Sequence, residues 1–392
     1  MANRPTLAIC HPRLGLGGSE AAVLWGITAL REDYDITLVT ASRVDLGKLN
    51  AAYGTDVEAG DFHLLRAPAL PHSRNPSRLA HWRVKRFEQF CRTNTREFDI
   101  PLSAYNPIDF GRPGLHLVGD FSWDEEIRAE LFASHGSASE PLHKGDLWLG
   151  SRLFGASGRD ILDGRDLVAA NSAWTAEMLA ERFGLRDTPV LYPPVNVPTP
   201  RNAAKRGRGH FICLGRVSPH KGVERIIAIL TAVRSRGHED VRLTIIGEIG
   251  DDPYGEHIAK LAVANSSWII TPGYVGGERK YELLAKHPYA LHACEGEAFG
   301  IAVAEMLLSG CVPFVPRSCG PAEIVGQDAL CYTTNEEAVD KISRVLSDES
   351  HAADLRNKLA TRGDRFTPQV FMVELRKLVR RFERQNKVVR AA

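Results

Sequence analysis

Two cations and two carboxylates, set in two short stretches, have the spacing to do chemistry. In LGRVSPHKG, Leu214 to Gly222, Arg216 and Lys221 stand five residues apart. In EGEAFGIAVAEMLLSG, Glu295 to Gly310, Glu297 and Glu305 stand eight apart around Phe299-Gly300. Two cations on one loop can meet at a diphosphate, and the free N–H groups of a helix start favour the same anion. A carboxylate inside that helix accepts two hydrogen bonds at fixed geometry, which suits sugar hydroxyls. A diphosphate leaving a sugar gains negative charge, so fixed cations stabilise the transition state more than the ground state. Phosphate plus hydroxyls points to a nucleotide sugar. Taken singly, the glutamates would also suit a solvated loop–helix–strand unit, and the cations a plain surface.

The neighbouring elements must position these groups. IAVAEMLLSG is a run of helix formers that stops at Gly310, and Val312 to Val315 reads as a buried parallel strand. HFICLGRVSPHKGVERIIAILTAVR is a strand, a polar loop and a helix; VRLTIIGEIG, SWIITPGYVG and PYALHAC add strands. This alternation gives a doubly wound parallel sheet. The first half repeats the plan. TLAICHP, Thr6 to Pro12, is a strand, RLGLGGSE a glycine-rich loop, AAVLWGITALRE a helix with Gly18 or Ser19 near its N-cap, and YDITLVTA a second strand. The loop lacks the Lys-Ser/Thr of a P-loop and the spacing of a dinucleotide fingerprint. A tight turn without a ligand is the simpler alternative for Gly17 and Gly18.

FDIPLSAYNPIDF and PGLHLVGDFSW are further strands, ending in Asn106 and Asp109 and in His116 and Asp120. Ligands collect at the carboxyl ends of such strands, which makes His116 and Asp120 candidates. Asp166 to Ala170 is a strand, followed by a helix capped by Ser172. Pro189, Pro193, Pro194, Pro198 and Pro200 exclude helix and central strand, and the linker is expected at about 196–208. Amphipathic helices close the chain, the last strongly basic at its end.

At 392 residues the chain suits two domains, and its 49 Lys+Arg against 48 Asp+Glu give no field for nucleic acid. Seven cysteines without a C-x-x-C pair argue against disulfides or a zinc site and for a reduced, cytoplasmic compartment. MANRPTLAIC lacks the apolar core of a signal peptide, and no apolar run reaches the ~18–20 residues of a spanning helix. Membrane contact is therefore expected only as peripheral. Its candidate is residues 72–96, where Arg74, Arg78, Arg83, Lys85, Arg86, Arg92 and Arg96 accompany Leu79, Trp82, Phe87 and Phe90 at roughly helical spacing. The simpler reading is an aromatic stripe packed on the core beneath a solvated basic face.

Gly215 to Gly222, with Glu297 and Glu305 some eighty residues on, resembles the G-R-x-x-x-x-K-G and E-x7-E signatures of the retaining GT-B glycosyltransferases of family 4. Gly17-Gly18-Ser19-Glu20 resembles that family's G-G-x-E, and NSAWTAEML with LYPPVN the end of its first domain. The resemblance implies an α/β fold of two Rossmann-like doubly wound domains facing a cleft. These are an acceptor domain at 1–195 and a donor domain at 209–367, with the helix at about 368–392 packing back on the first. It implies that Arg216 and Lys221 bind the diphosphate, Glu305 the ribose and Glu297 the donor sugar. The backbone of Phe299, Gly300, Ile301 and Ala302 would meet phosphate and sugar. Tyr274 and Val275 would border the base, with Gly17 and Gly18 on the donor from the first domain. One departure stands out: Gly119 occupies the place of a family histidine, which moves the first-domain catalytic role to Asp120, supported by His116.

The resulting expectation is a retaining, metal-independent transferase in polysaccharide or glycoconjugate biosynthesis. It would move a sugar from a UDP- or GDP-linked donor to a saccharide, lipid-linked or other hydroxyl acceptor, in the cytoplasm or at the inner face of the membrane. No cofactor or metal is expected, since Asp251-Asp252 lacks D-x-D spacing. A sugar-nucleotide epimerase, or a nucleotide-sugar-binding protein without catalysis, are the alternatives.

Overall fold

The computed structural model describes residues 4–68, 80–132, 162, 165–198 and 206–391. The chain divides into two compact units, Met1–Pro194 with Pro368–Ala392, and Val195–Thr367. Residues 199–205 of the expected linker, and Arg74, Arg78 and Leu79 of the basic segment, lie outside the described residues.

The first unit holds strands β1 (Thr6–Cys10), β2 (Asp35–Thr40), β3 (His63–Arg66), β4 (Ile100–Ser103), β5 (Leu115–Val118) and β6 (Leu167–Ala170). They pair in parallel in the order β3-β2-β1-β4-β5-β6. Alternate residues of β1 face opposite sides, as the two-residue period of a strand requires. Leu7 and Ile9 join a core with Leu24 and Ile27 of helix Gly18–Leu30 and with Phe371, Leu375 and Phe382 of helix Pro368–Ala391. Ala8 and Cys10 face the other core, with Phe87 and Cys91 of helix Ala80–Asn94. Burying each large apolar side chain is worth about 1.5–3 kcal/mol, so Phe371, Leu375 and Phe382 hold the last helix on this sheet.

The second unit contains β7 (His210–Leu214), β8 (Arg242–Ile246), β9 (Ile269–Gly273), β10 (Tyr289–Leu291), β11 (Val312–Pro316) and β12 (Cys331–Tyr332). Their order is β12-β11-β10-β7-β8-β9, again all parallel. Counted from the first strand of each unit, both sheets run 3-2-1-4-5-6. Both reverse direction between their first and fourth strands, where doubly wound sheets bind ligands.

The basic helix Ala80–Asn94 buries Phe87 and Cys91. Lys85 pairs with Glu88 at 2.9 Å, both largely buried, and Arg92 pairs with Asp109. Of the expected aromatic stripe, Phe87 is in the core and Phe90 packs partly buried against it. Among the described residues no helix is long and apolar enough to cross a membrane.

Candidate functional site

At the β7/β10 reversal the loops leaving both strands meet. Gly215 and Gly247 let the loops after β7 and β8 approach, and Gly222 lets the β7 loop approach the one after β10. Gly215 has φ +143°, and a Cβ on Gly247, after β8, would stand 1.9 Å from the Gly215 carbonyl oxygen. Gly222 takes φ +60°, and a Cβ there would press to 3.2 Å of the Ala293 oxygen in the loop after β10. Only glycine adopts these positions at low cost. Lys221 closes the short 3-10 turn Pro219–Lys221, and Gly222 starts helix Val223–Ser235. Lys221 is thereby carried to the β10 loop.

Its ammonium forms an ion pair with Glu297. Burial works against charge on Lys221, but the Glu297 carboxylate outweighs it and holds the lysine above its ordinary value, while nearby Arg216 pulls downward. Burial likewise opposes charge on Glu297, yet Lys221 and His292 keep it below the usual carboxylate range. Arg216 is exposed and has no acidic partner among the described residues. One cation is thus fixed by a carboxylate, and a second stands beside it, open to solvent.

The β10 loop is pinned from behind. Arg225 pairs with Glu295, donates to Asn335 Oδ1 at 2.7 Å, and lies over the Tyr332 ring. Tyr332 donates its hydroxyl to the His292 oxygen at 2.6 Å. The Gly320 N–H donates to the Glu297 oxygen at 2.9 Å, and a Cβ on Gly320 would stand 2.0 Å from the Ala298 oxygen. Phe299 is buried edge-on to Phe366. Gly300, at φ +94°, turns the chain into helix Ile301–Leu308. Ile301 and Ala302 therefore present their N–H groups at a helix start.

Glu305 lies one turn inside that helix. Its Oε1 accepts from Lys280 Nζ at 2.5 Å and from the Tyr281 hydroxyl at 3.1 Å. Neither bond uses Oε2. Burial, then Glu305, raises the Tyr281 pKa, so the phenol stays a donor. Tyr274 is 72% exposed in the turn after β9, next to Val275. An exposed ring beside a sheet end is a stacking surface.

In the first unit Gly17 is the N-cap of helix Gly18–Leu30, so Gly18 and Ser19 stand next to the cap as its first two residues. The loop is closed by its own side chains. Gly15 N–H donates to Glu20 Oε1 at 2.9 Å, and Gly17 both donates to and accepts from the Tyr53 hydroxyl at 2.8 Å. A Cβ on Gly17 would approach Glu20 Oε2 to 2.7 Å. Ser19 donates to the same carboxylate at 3.1 Å, and its Oγ lies 3.0 Å from His11 Nε2. The glycines here make room for Glu20.

Asp120 lies just past the carboxyl end of β5, where sequence placed it, but its Oδ1 builds the turn. It accepts from Asn106 Nδ2 at 2.7 Å and from Ser122 N–H at 2.9 Å. Asn106, at φ +56°, also accepts from the Gly119 N–H at 2.9 Å. His116 is a correction. β5 begins at Leu115, so His116 falls at its amino-terminal side, 1% exposed, stacked on Phe110. Its Nδ1 accepts from Ile108 N–H at 3.4 Å and its Nε2 lies 3.3 Å from Asp166. The histidine belongs to the core and does not support Asp120. Asp252 likewise caps helix Pro253–Ala264 through Tyr254 and Gly255 N–H.

The sequence reading missed Lys280 and Tyr281, which no spacing ties to Glu305. It also missed His292 and Cys294. One donor atom each from His292, Cys294 and Glu297 lie within 4.8 Å of one another. Burial lowers the His292 pKa to about 4 and pushes the Cys294 thiol up to about 12. A search for C-x-x-C or D-x-D patterns passes over H-x-C-x-x-E.

Residues 199–365 match the family model for glycosyl transferases group 1. The chain is 22% identical over 238 residues to a Dictyostelium discoideum GDP-Man:Man(3)GlcNAc(2)-PP-Dol alpha-1,2-mannosyltransferase, covering 55% of this chain and 47% of that protein. It is 27% identical over 217 residues to a Mycobacterium tuberculosis GDP-mannose-dependent alpha-(1-6)-phosphatidylinositol monomannoside mannosyltransferase, covering 48% and 54%. The chain thus spans about half the length of the curated relatives it matches. Anabaena Alr3699/HepE, solved with UDP and glucose, is similar over 96% of this chain and 99% of its own, with 15% identity and a TM-score of 0.63. That likeness gives the fold, the GT-B arrangement of two parallel six-stranded sheets.

Proposed function

We propose that the chain, whose residues 199–365 match the family model for glycosyl transferases group 1, moves a hexose from a nucleotide-diphosphate sugar to a hydroxyl acceptor. The observation that carries this reading is the pair of cations at the β7/β10 reversal, Lys221 on Glu297 and Arg216 open beside it. An ammonium has three donors, so Lys221 can hold Glu297 and a phosphate oxygen together. Arg216 offers a planar fork for a second phosphate oxygen. The N–H groups of Ile301 and Ala302 add a helix-start dipole. All three act most strongly on the diphosphate as it leaves, which is the condition for catalysis rather than binding alone.

Glu305 takes the ribose hydroxyls through Oε2, its Oε1 being anchored by Lys280 and Tyr281. Glu297 faces the transferred sugar, and Tyr274 and Val275 the base. Transfer proceeds with retention and without a metal, the departing phosphate taking the acceptor proton. GDP-mannose is the favoured donor, because the curated relatives described above are named for it. The same names favour a lipid-linked or saccharide acceptor, met by peripheral contact at the cytoplasmic face of a membrane.

Calorimetry with GDP and UDP, followed by donor consumption with and without a mannosyl lipid acceptor, tests the reading. Nucleotide release only with acceptor, and a product of unchanged anomeric configuration, are expected. Sugar interconversion would mean an epimerase, and binding without turnover a binding protein.

A further inference from the structure

His292 and Cys294 have no part in the transfer described above, yet they lie against the carboxylate that anchors Lys221. We infer that His292, Cys294 and Glu297 form a site for a soft divalent cation of the Zn2+ type, and that the ion competes with Lys221 for the Glu297 carboxylate. Nitrogen, sulfur and carboxylate oxygen are the three donors that Zn2+ prefers. Their atoms already lie within 4.8 Å of one another. A tetrahedral ion with bonds of about 2.0–2.3 Å holds its ligand atoms roughly 3.4–3.7 Å apart. The cluster therefore needs to contract by only about 1 Å, and Glu297, its most exposed member, can supply that movement.

A second observation points into the same space. His292 is 5% exposed, and its Nε2 has no hydrogen-bond partner. A buried ring nitrogen without a partner is costly unless something coordinates or hydrogen-bonds it. The nitrogen stands 3.8 Å from Glu297 Oε2, the atom that Lys221 also holds. A dication and an ammonium repel each other at one carboxylate oxygen, so occupation by the metal and the Lys221 pairing exclude one another. The ion's binding stands on the cluster alone and does not depend on the function proposed above.

Cadmium, which gives an ultraviolet thiolate charge-transfer band, is the probe. The full chain should show one such band saturating at one ion per chain. Cys294→Ser should abolish it, and Cys91→Ala, in the first unit, should keep it. Lys221→Met retains all three ligands and lacks the competing charge, so it should bind cadmium more tightly than wild type. A band that survives in Cys294→Ser, the lack of any band, or weaker binding in Lys221→Met would overturn the site. Failure of GDP to bind metal-free protein would instead sink the diphosphate reading and leave the metal site standing.

Discussion

The two sheets share one topology, and at their reversal points they do opposite things. After β1 the glycine loop turns inward: Glu20 and Tyr53 take its N–H groups, and Gly17 is small so that the Glu20 carboxylate fits. After β7 the loop is equally tight, and its glycines serve to bring Lys221 against a loop from another strand. Topology supplies a place for a ligand in each unit, and side chains decide what the place is for. In the first loop, Glu20 and Tyr53 take the Gly15 and Gly17 N–H groups. The second holds one cation on a carboxylate and, among the described residues, leaves the other without an acidic partner.

The largest expected effect sharpens the second half of this contrast. Lys221→Ala should lower affinity for the nucleotide diphosphate by about 1.5–3 kcal/mol, roughly ten- to a hundredfold, with a similar loss for Arg216→Ala. Calorimetric affinity equal to wild type in both variants would remove the diphosphate site from this loop.

Next come the two glutamates. Glu305→Gln should weaken GDP alone about as much as the whole donor, by about 1–2 kcal/mol, since Oε2 is assigned to the nucleoside. Glu297→Gln should leave GDP binding nearly intact and depress turnover of the donor. The reverse pattern in calorimetry and initial rates would exchange their roles.

The first unit is tested by stability. Glu20→Ala orphans the Gly15 N–H, and Asp120→Ala removes the nearer acceptor of Asn106 Nδ2 and orphans the Ser122 N–H. Each should cost about 1–3 kcal/mol, seen as a lowered Tm, with GDP affinity unchanged. A nucleotide affinity that falls in step with Glu20→Ala would break the comparison, because the first loop would then be a donor site as well.

The smallest effect is a pH dependence in the second unit. Hydrogen bonds from Lys341, with the Thr333 N–H and Arg317 adding to them, hold Glu337 down to about 2. A carboxylate whose folded pKa is depressed stabilises the fold above its ordinary value of 4.5 and loses that contribution as pH falls toward 2. The pair is solvent-screened, so the difference between wild type and Glu337→Gln should stay below about 1 kcal/mol at neutral pH and shrink between about pH 4.5 and 2. Thermal melts across that range measure it, and a difference that grew on acidification would reverse the assignment.

Much of this molecule is written in local pattern. Alternation of short apolar runs with amphipathic helices is enough to predict two parallel sheets, because a strand buried on both faces must be apolar throughout, as Val312–Pro316 is. Gly300 and Gly310 bracket a helix whose ends they dictate. The placing of Lys221 beside Glu297 follows from the strand order, which brings their loops together. Tertiary structure alone decided the partners. Glu305 meets Lys280 and Tyr281 across two elements with no shared periodicity. His116 is in the core because β5 starts one residue before it, a register that composition does not encode. Asp120 spends one oxygen on Asn106, whose left-handed backbone is visible only in three dimensions. His292 and Cys294 gain their meaning from a carboxylate that a loop folds back upon them. Sequence determines which groups a strand delivers to its end. What each group then touches depends on how neighbouring loops close, through contacts between residues far apart in the chain.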